Sequence, residues 1–231
     1  MAGVLSMCST GPASAQLPSA QPRRTLGVWL TNSPSNLYYD RRELIRAMDE
    51  LKDAGFNAIY PNVWSRGTTF HRSRFAPVEP ALQQAGLELD PICTLSKQAR
   101  KRGMKVIPWF EYGLMEPADA AVVKQHPEWV LARADGNPVM TMHGKQMVWL
   151  NPAHPEVRER FIGLVVEVMK RCRMDGLQLD DHFAWPVELG YDPYTAALYE
   201  NQTGTPPPKD HTNRYCCLLY TSPSPRDTSS S

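Results

Sequence analysis

No run of apolar residues in this 231-residue chain approaches the roughly 18–20 that a membrane-spanning helix requires, so a helical span is not expected. Neither charge is in surplus. There are 25 Lys+Arg against 24 Asp+Glu, scattered rather than gathered into a stripe, and no nucleic-acid partner is expected. No G-x-G-x-x-G follows the first predicted strand, which argues against a dinucleotide-binding fold. A His-x-His pair is missing from the end of that strand, where Thr31-Asn32 stand, so no metal and no other cofactor is expected. Cysteine is scarce. Of five, Cys8, Cys216 and Cys217 lie near the ends, and Cys93 and Cys172 have no neighbour at metal-ligand spacing. Two isolated cysteines make no disulfide framework, and both read as buried apolar thiols.

The two ends stand apart from the rest. Residues 1–15 are small and weakly apolar and close on Ala13-Ser14-Ala15, the A-x-A pattern of a secretory cleavage site, although the apolar region is short and no basic segment precedes it. An export signal that has lost its start, placing the protein in the periplasm, cell envelope or outside, is favoured over a disordered leader or a lipidated Cys8. Residues 16–24, with Pro18 and Pro22, read as a linker. At the other end, Cys217 to Asp227 back-translates without conflict to a transposase-type sequencing adapter. Residues 216–231 are therefore expected to be a non-native tail.

Between the ends, short β-rich apolar runs alternate with stretches of helical period, the pattern of βαβ units. Strands are predicted at Thr25–Thr31, Asn57–Trp64, Met104–Phe110 and Leu177–Asp180, and main helices at Arg41–Ala54, Asp90–Arg102 and Pro155–Arg173. The first helix carries Leu44, Ile45, Met48 and Leu51 on one face, with Asp40 as its N-cap. The connection after the third strand is long, as binding loops are. It includes a short helix near Ala118–His126 and a hairpin-like turn at Asp135-Gly136. Four strands over residues 25–215 predict an α/β fold, the N-terminal half of a (β/α)₈ barrel, because the full barrel takes about 250 residues.

In such barrels functional side chains gather at the C-terminal strand ends, which here read Thr31-Asn32, Asn62-Val63-Trp64, Trp109-Phe110-Glu111-Tyr112 and Asp180-Asp181-His182. Carboxylates, amides and aromatic rings in one mouth suit sugar chemistry. Period-2 alternation puts Gln178 and Asp180 on the inner face and Leu177 and Leu179 beneath the helices. Asp180 is the candidate nucleophile or stabilising carboxylate and Asp181 its support, unless the pair merely caps a turn. Glu111 shares its face with Ile107 and Trp109 and is the second candidate carboxylate, with a salt bridge to Arg66 as the alternative. His71 and His143 are candidates to line the mouth. His126 and His154, each before a proline in a loop, read as structural.

Five ordered segments, Leu26 to Asn32, Gly55 to Trp64, Val106 to Gly113, Val148 to Pro152 and Asp175 to Phe183, resemble the bacterial glycosyl-hydrolase-like barrel family that includes envelope proteins acting on peptidoglycan glycan strands. The resemblance implies a (β/α)₈ barrel, export, and hydrolysis of a glycosidic bond in an envelope glycan or related polysaccharide. It implies Asp180, Asp181 and Glu111 as catalytic positions, and Trp29, Asn32, Asn62, Trp64, Tyr112, Asn151 and His182 as substrate-binding ones. Many barrel glycosidases draw a catalytic carboxylate from strands five to eight, so residues 1–231 alone are expected to be inactive. A non-catalytic carbohydrate-binding barrel is the alternative.

Overall fold

The computed structural model of the chain describes residues 24–86, 90–142, 144–184 and 186–208. The predicted leader, most of the linker, His143 and the predicted tail lie outside them, as does the side chain of Asp181. In chain order the elements are β1 (Gly27–Leu30), α1 (Arg41–Asp53), β2 (Ala58–Ser65), β3 (Thr68–Thr69), α2 (Pro80–Gln84), α3 (Pro91–Lys101), β4 (Lys105–Val106), β5 (Trp109–Phe110), β6 (Met115–Pro117), α4 (Ala121–Gln125), β7 (Met140–Met142), β8 (Lys145–Trp149), α5 (Pro155–Cys172), β9 (Gln178–Leu179) and α6 (Pro193–Thr203). Single 3₁₀ turns occupy Pro127–Trp129 and Asp181–Phe183.

The predicted strands all form, and their order decides the architecture. β1 pairs with β2, β2 with β4 and β5, and β5 with β9, every pair parallel. β4 and β5 are one strand interrupted at Pro108, which has no N–H to give to the ladder. A doubly wound sheet reverses its strand order at a switch point. Here each strand adds to the edge left by its predecessor, the arrangement of four consecutive units of a (β/α)₈ barrel.

Helices α1, α3 and α5 cover one face of this arc. Asp40 caps α1 by accepting from the backbone N–H groups of Arg42 and Glu43, and Asp90 caps α3 by accepting from Cys93. Leu44 and Met48 of α1, Ile92, Leu95 and Ala99 of α3, and Val157, Leu164 and Val168 of α5 are buried in one core with Ile59, Val63, Val106 and Phe110 of the strands. Phe110 meets Phe161 of α5 edge-on at 5.6 Å. Each such large apolar side chain contributes about 1.5–3 kcal/mol by leaving water.

Three expectations need correction. Cys93 and Cys172 are not free thiols but a disulfide joining α3 to α5 across 79 residues of sequence. The helices bring the two Cα atoms to 4.5 Å, a proximity that spacing along the chain does not encode. Leu177 and Leu179 alternate as predicted but are not covered, at 44% and 38% exposure. β9 pairs with β5 on one edge, and among the described residues no strand pairs with the other. Thirdly, Asp135-Gly136 is a tight turn, with the Gly136 N–H donating to the Arg133 carbonyl, but it joins no strands. The hairpin in this connection is β7–β8, and β6 pairs with β8 to complete a three-stranded antiparallel sheet.

Candidate active site

The arc's uncovered face carries the residues that alternation assigns to it, and they bond to one another. On β1 and β9, the first and fourth strands of the arc, the Trp29 indole N–H donates to Gln178 Oε1 at 2.9 Å. Trp29 also lies against Tyr60 of β2, ring centroids 5.5 Å apart. One layer higher, toward the C-terminal strand ends, the Asn62 amide donates to Glu111 Oε2 at 2.6 Å. The Trp109 indole donates to Asp180 Oδ2 at 2.7 Å. Glu111 and Asp180 each stand one residue beyond the last pair of the β5–β9 register, Phe110 with Leu179, so the two carboxylates sit on adjacent strand ends and share a face.

Both acids are therefore oriented by donors from neighbouring residues. Glu111 does not pair with Arg66, the alternative considered above. The Arg66 Nε donates to the Tyr112 hydroxyl at 3.2 Å instead, and Tyr112 and the Glu111 charge both hold the guanidinium above its usual range. Tyr38 is fully buried and donates to the Leu30 carbonyl; burial above all, with a smaller push from the Glu111 charge, raises its phenol well above the usual range.

An aromatic platform adjoins the carboxylates. Tyr112 and His182 stack with centroids 5.3 Å apart and planes 7° from parallel. Gly113 makes this approach possible. Its φ is +54°, and a Cβ there would stand 2.9 Å from the Phe183 Cα, so any other residue would push the Asp181–Phe183 turn away from Tyr112.

The remaining candidates fall elsewhere. Asn32 is half-buried beside Tyr39. Trp64 is buried, its indole donating to the Gly113 carbonyl, which makes it a brace beneath the platform. Asn151 is fully buried: its amide donates to Asp192 and Thr195, its Oδ1 accepts from the Ala153 N–H, and it pins the start of α6. Neither offers a surface to a substrate, and Asn62, equally buried, gives its amide to Glu111 instead. His71 is buried rather than lining the mouth, and burial pulls its imidazole down to about 4 although Asp90 and Glu167 lie near. His126 stacks on Trp129 at 3.8 Å and His154 is the N-cap residue of α5, both structural positions. Sequence reasoning put Trp109 and Gln178 on the inner face but passed over both as site residues, although their strand parity was the signal.

The fully buried acid Glu116 of β6 was not anticipated. Its Oε1 accepts from Arg160 Nη1 at 3.2 Å, while its Oε2 has no hydrogen-bond partner among the described residues. Burial pushes the carboxyl up to about 7, outweighing the pull of Arg160. Asp90, Cys93 and Cys172 bring metal-ligand atom types within 4.8 Å of one another. The two sulfurs are bonded to each other, however, and do not fit a thiolate site. Among the described residues no helix is long and apolar enough to cross a membrane.

Three likenesses bear on this arrangement. The glycosyl hydrolase DigH of Escherichia coli K12 is 27% identical over 210 residues, covering 76% of this chain and 45% of its own length. The glycosyl hydrolase YngK of Bacillus subtilis is 21% identical over 192 residues, covering 75% of this chain and 36% of its own. The chain thus spans less than half of either relative. In structure it is similar to α-L-fucosidase isoenzyme 2 from Paenibacillus thiaminolyticus, with a TM-score of 0.59 at 17% identity over 85% of this chain and 28% of that one, a likeness of fold alone. Residues 24–216 match the sequence profile of the glycosyl hydrolase-like 10 family, and the chain belongs to that family.

Proposed function

We propose that the protein carrying this domain hydrolyses glycosidic bonds in a bacterial envelope glycan, with Asp180 and Glu111 as the reacting carboxylates. The observation that carries the reading is the pair of oriented acids on adjacent strand ends, Asp180 held by Trp109 and Glu111 by Asn62. A glycosidase needs one carboxyl group to protonate the leaving oxygen and a second to stabilise or trap the oxocarbenium-like carbon. Asp180, fixed by an indole donor, suits the second role. Glu111, beside the Tyr112–His182 platform, is the local candidate for the first. Sugar rings present C–H faces to aromatic planes, which Trp29, 55% exposed, and the platform supply.

Export to the envelope belongs to the same proposal, supported by the Ala13-Ser14-Ala15 pattern. So does inactivity of residues 1–231 alone, because a barrel mouth is lined from eight strand ends and the described residues supply four. The test is release of reducing ends from purified wall glycan. In the natural protein carrying this domain, Asp180→Asn should cut turnover at least a thousandfold while glycan still binds. Unchanged turnover would remove Asp180 from the mechanism, and binding without turnover in the unsubstituted protein would favour a carbohydrate-binding barrel. Turnover by residues 1–231 would show that acid and base both lie here.

A further inference from the structure

Arg66, among the described residues of the mouth, has no task in the hydrolytic reading. It stands at the tip of the turn joining β2 to β3, its side chain exposed, its backbone at φ +51°. That left-handed conformation favours glycine or asparagine and costs a long side chain about 1 kcal/mol or more. The turn has room for nothing larger than glycine at the next position. Gly67 has φ +78°, and a Cβ there would stand 2.5 Å from Glu116 Oε2.

The guanidinium is held in a defined pose. Nε donates to the Tyr112 hydroxyl, and the guanidinium carbon lies 5.8 Å from the centroid of the same ring. Among the described residues no carboxylate lies within ion-pair distance of it. Glu111, the nearest acidic influence on it, is occupied by the Asn62 amide. With Nε engaged, the edge formed by Nη1 and Nη2 remains, and that edge matches a planar carboxylate through two parallel hydrogen bonds. A lysine could not offer the same edge.

The charge balance points the same way. A mouth holding Asp180 and Glu111 repels an anionic sugar unless a cation offsets them, whereas a neutral glycan needs no such cation. We infer that Arg66 reads a free carboxylate on the sugar bound against the Tyr112–His182 platform, and so selects acidic over neutral glycan strands. This rests on the mouth being a glycan site, as proposed above.

The experiment compares one wall glycan strand in two forms, native with its carboxylates and the same strand after reduction of the carboxyl groups to neutral alcohols. Binding to the full 231-residue chain is read by affinity electrophoresis. The unsubstituted chain should bind the carboxylated strand at least tenfold more tightly. Arg66→Asn, which tolerates the left-handed backbone, should bring that ratio to about one while leaving the reduced strand's affinity unchanged. Arg66→Lys should recover only part of the ratio, and thermal melting checks that each variant folds. Equal affinity for both strands, binding of neither, or a ratio indifferent to Arg66 overturns the inference. Turnover by the natural protein without a carboxylate preference sinks this inference alone. An Arg66-dependent preference without turnover sinks the hydrolytic reading alone.

Discussion

β2 and β9 do the same job in the sheet and are built differently. β2 has eight residues, neighbours on both edges, and every side chain but Tyr60 buried. β9 has two residues, a partner on one edge, and leucines left in water on either side of Gln178. Both nonetheless deliver a polar side chain to the same mouth, Asn62 from β2 and Asp180 just beyond β9. The position of a reacting group in this fold therefore depends on parity and hydrogen bonding, while stability depends on how many faces and edges its strand has covered.

The contrast is open to measurement. In the middle of β2, Ile59→Ala should lower unfolding free energy by about 2–5 kcal/mol in urea titrations, since it empties a fully buried site. Leu179→Ala should cost about 1 kcal/mol or less, and equal costs would erase the distinction. Next in size is the clamp between α3 and α5. Replacing both Cys93 and Cys172 by serine should cost about 2–4 kcal/mol, read from the same titration with and without reductant.

Two buried groups then give opposite pH signatures. The folded carboxyl of Glu116 titrates near 7 and the unfolded one near its ordinary 4.5, so in this window the native state holds more protons. Its contribution to stability falls as pH rises from about 4.5 to 7. His71 titrates near 4 when folded and near 6.5 when unfolded, so the unfolded state holds more protons and stability falls as pH drops from about 6.5 to 4. The two slopes largely oppose each other in the unsubstituted chain. Glu116→Gln should expose the acid-side loss due to His71, and His71→Gln the alkaline-side loss due to Glu116, both visible in melting temperature from pH 4 to 8. A flat profile in either variant would show that the group it retains titrates normally. The smallest effect belongs to the mouth. Trp109→Phe keeps the ring but removes the donor to Asp180, and should leave stability within about 1 kcal/mol while lowering kcat more than KM in the natural protein.

Much of this was legible before the coordinates. Strand and helix periods carry the βα alternation, and alternation alone put Gln178, Asp180, Trp109 and Glu111 on one face. What stayed hidden depends on contacts between distant segments. The Cys93–Cys172 bond requires two helices 79 residues apart in sequence to touch. The antiparallel sheet of β6, β7 and β8 lies within a connection whose Met-rich segments lack a clean period. Asn151 looks the same in sequence whether it meets a sugar hydroxyl or, as here, Asp192 and Thr195. Glu116 gave no warning because a carboxylate in a short strand is ordinarily solvated, and its burial follows from the packing of Arg160 and Gly67 around it.

A row of parallel strands leaves its own radius undetermined, since each neighbour can twist by a range of angles. The Trp29–Gln178 hydrogen bond removes much of that freedom. It is a chord drawn across the arc between residues 149 apart in the chain, and a chord of fixed length with a fixed number of strands between its ends sets how sharply they bend. The aperture in which Asp180 and Glu111 meet a substrate is in this way gauged by an indole and an amide that take no part in the chemistry.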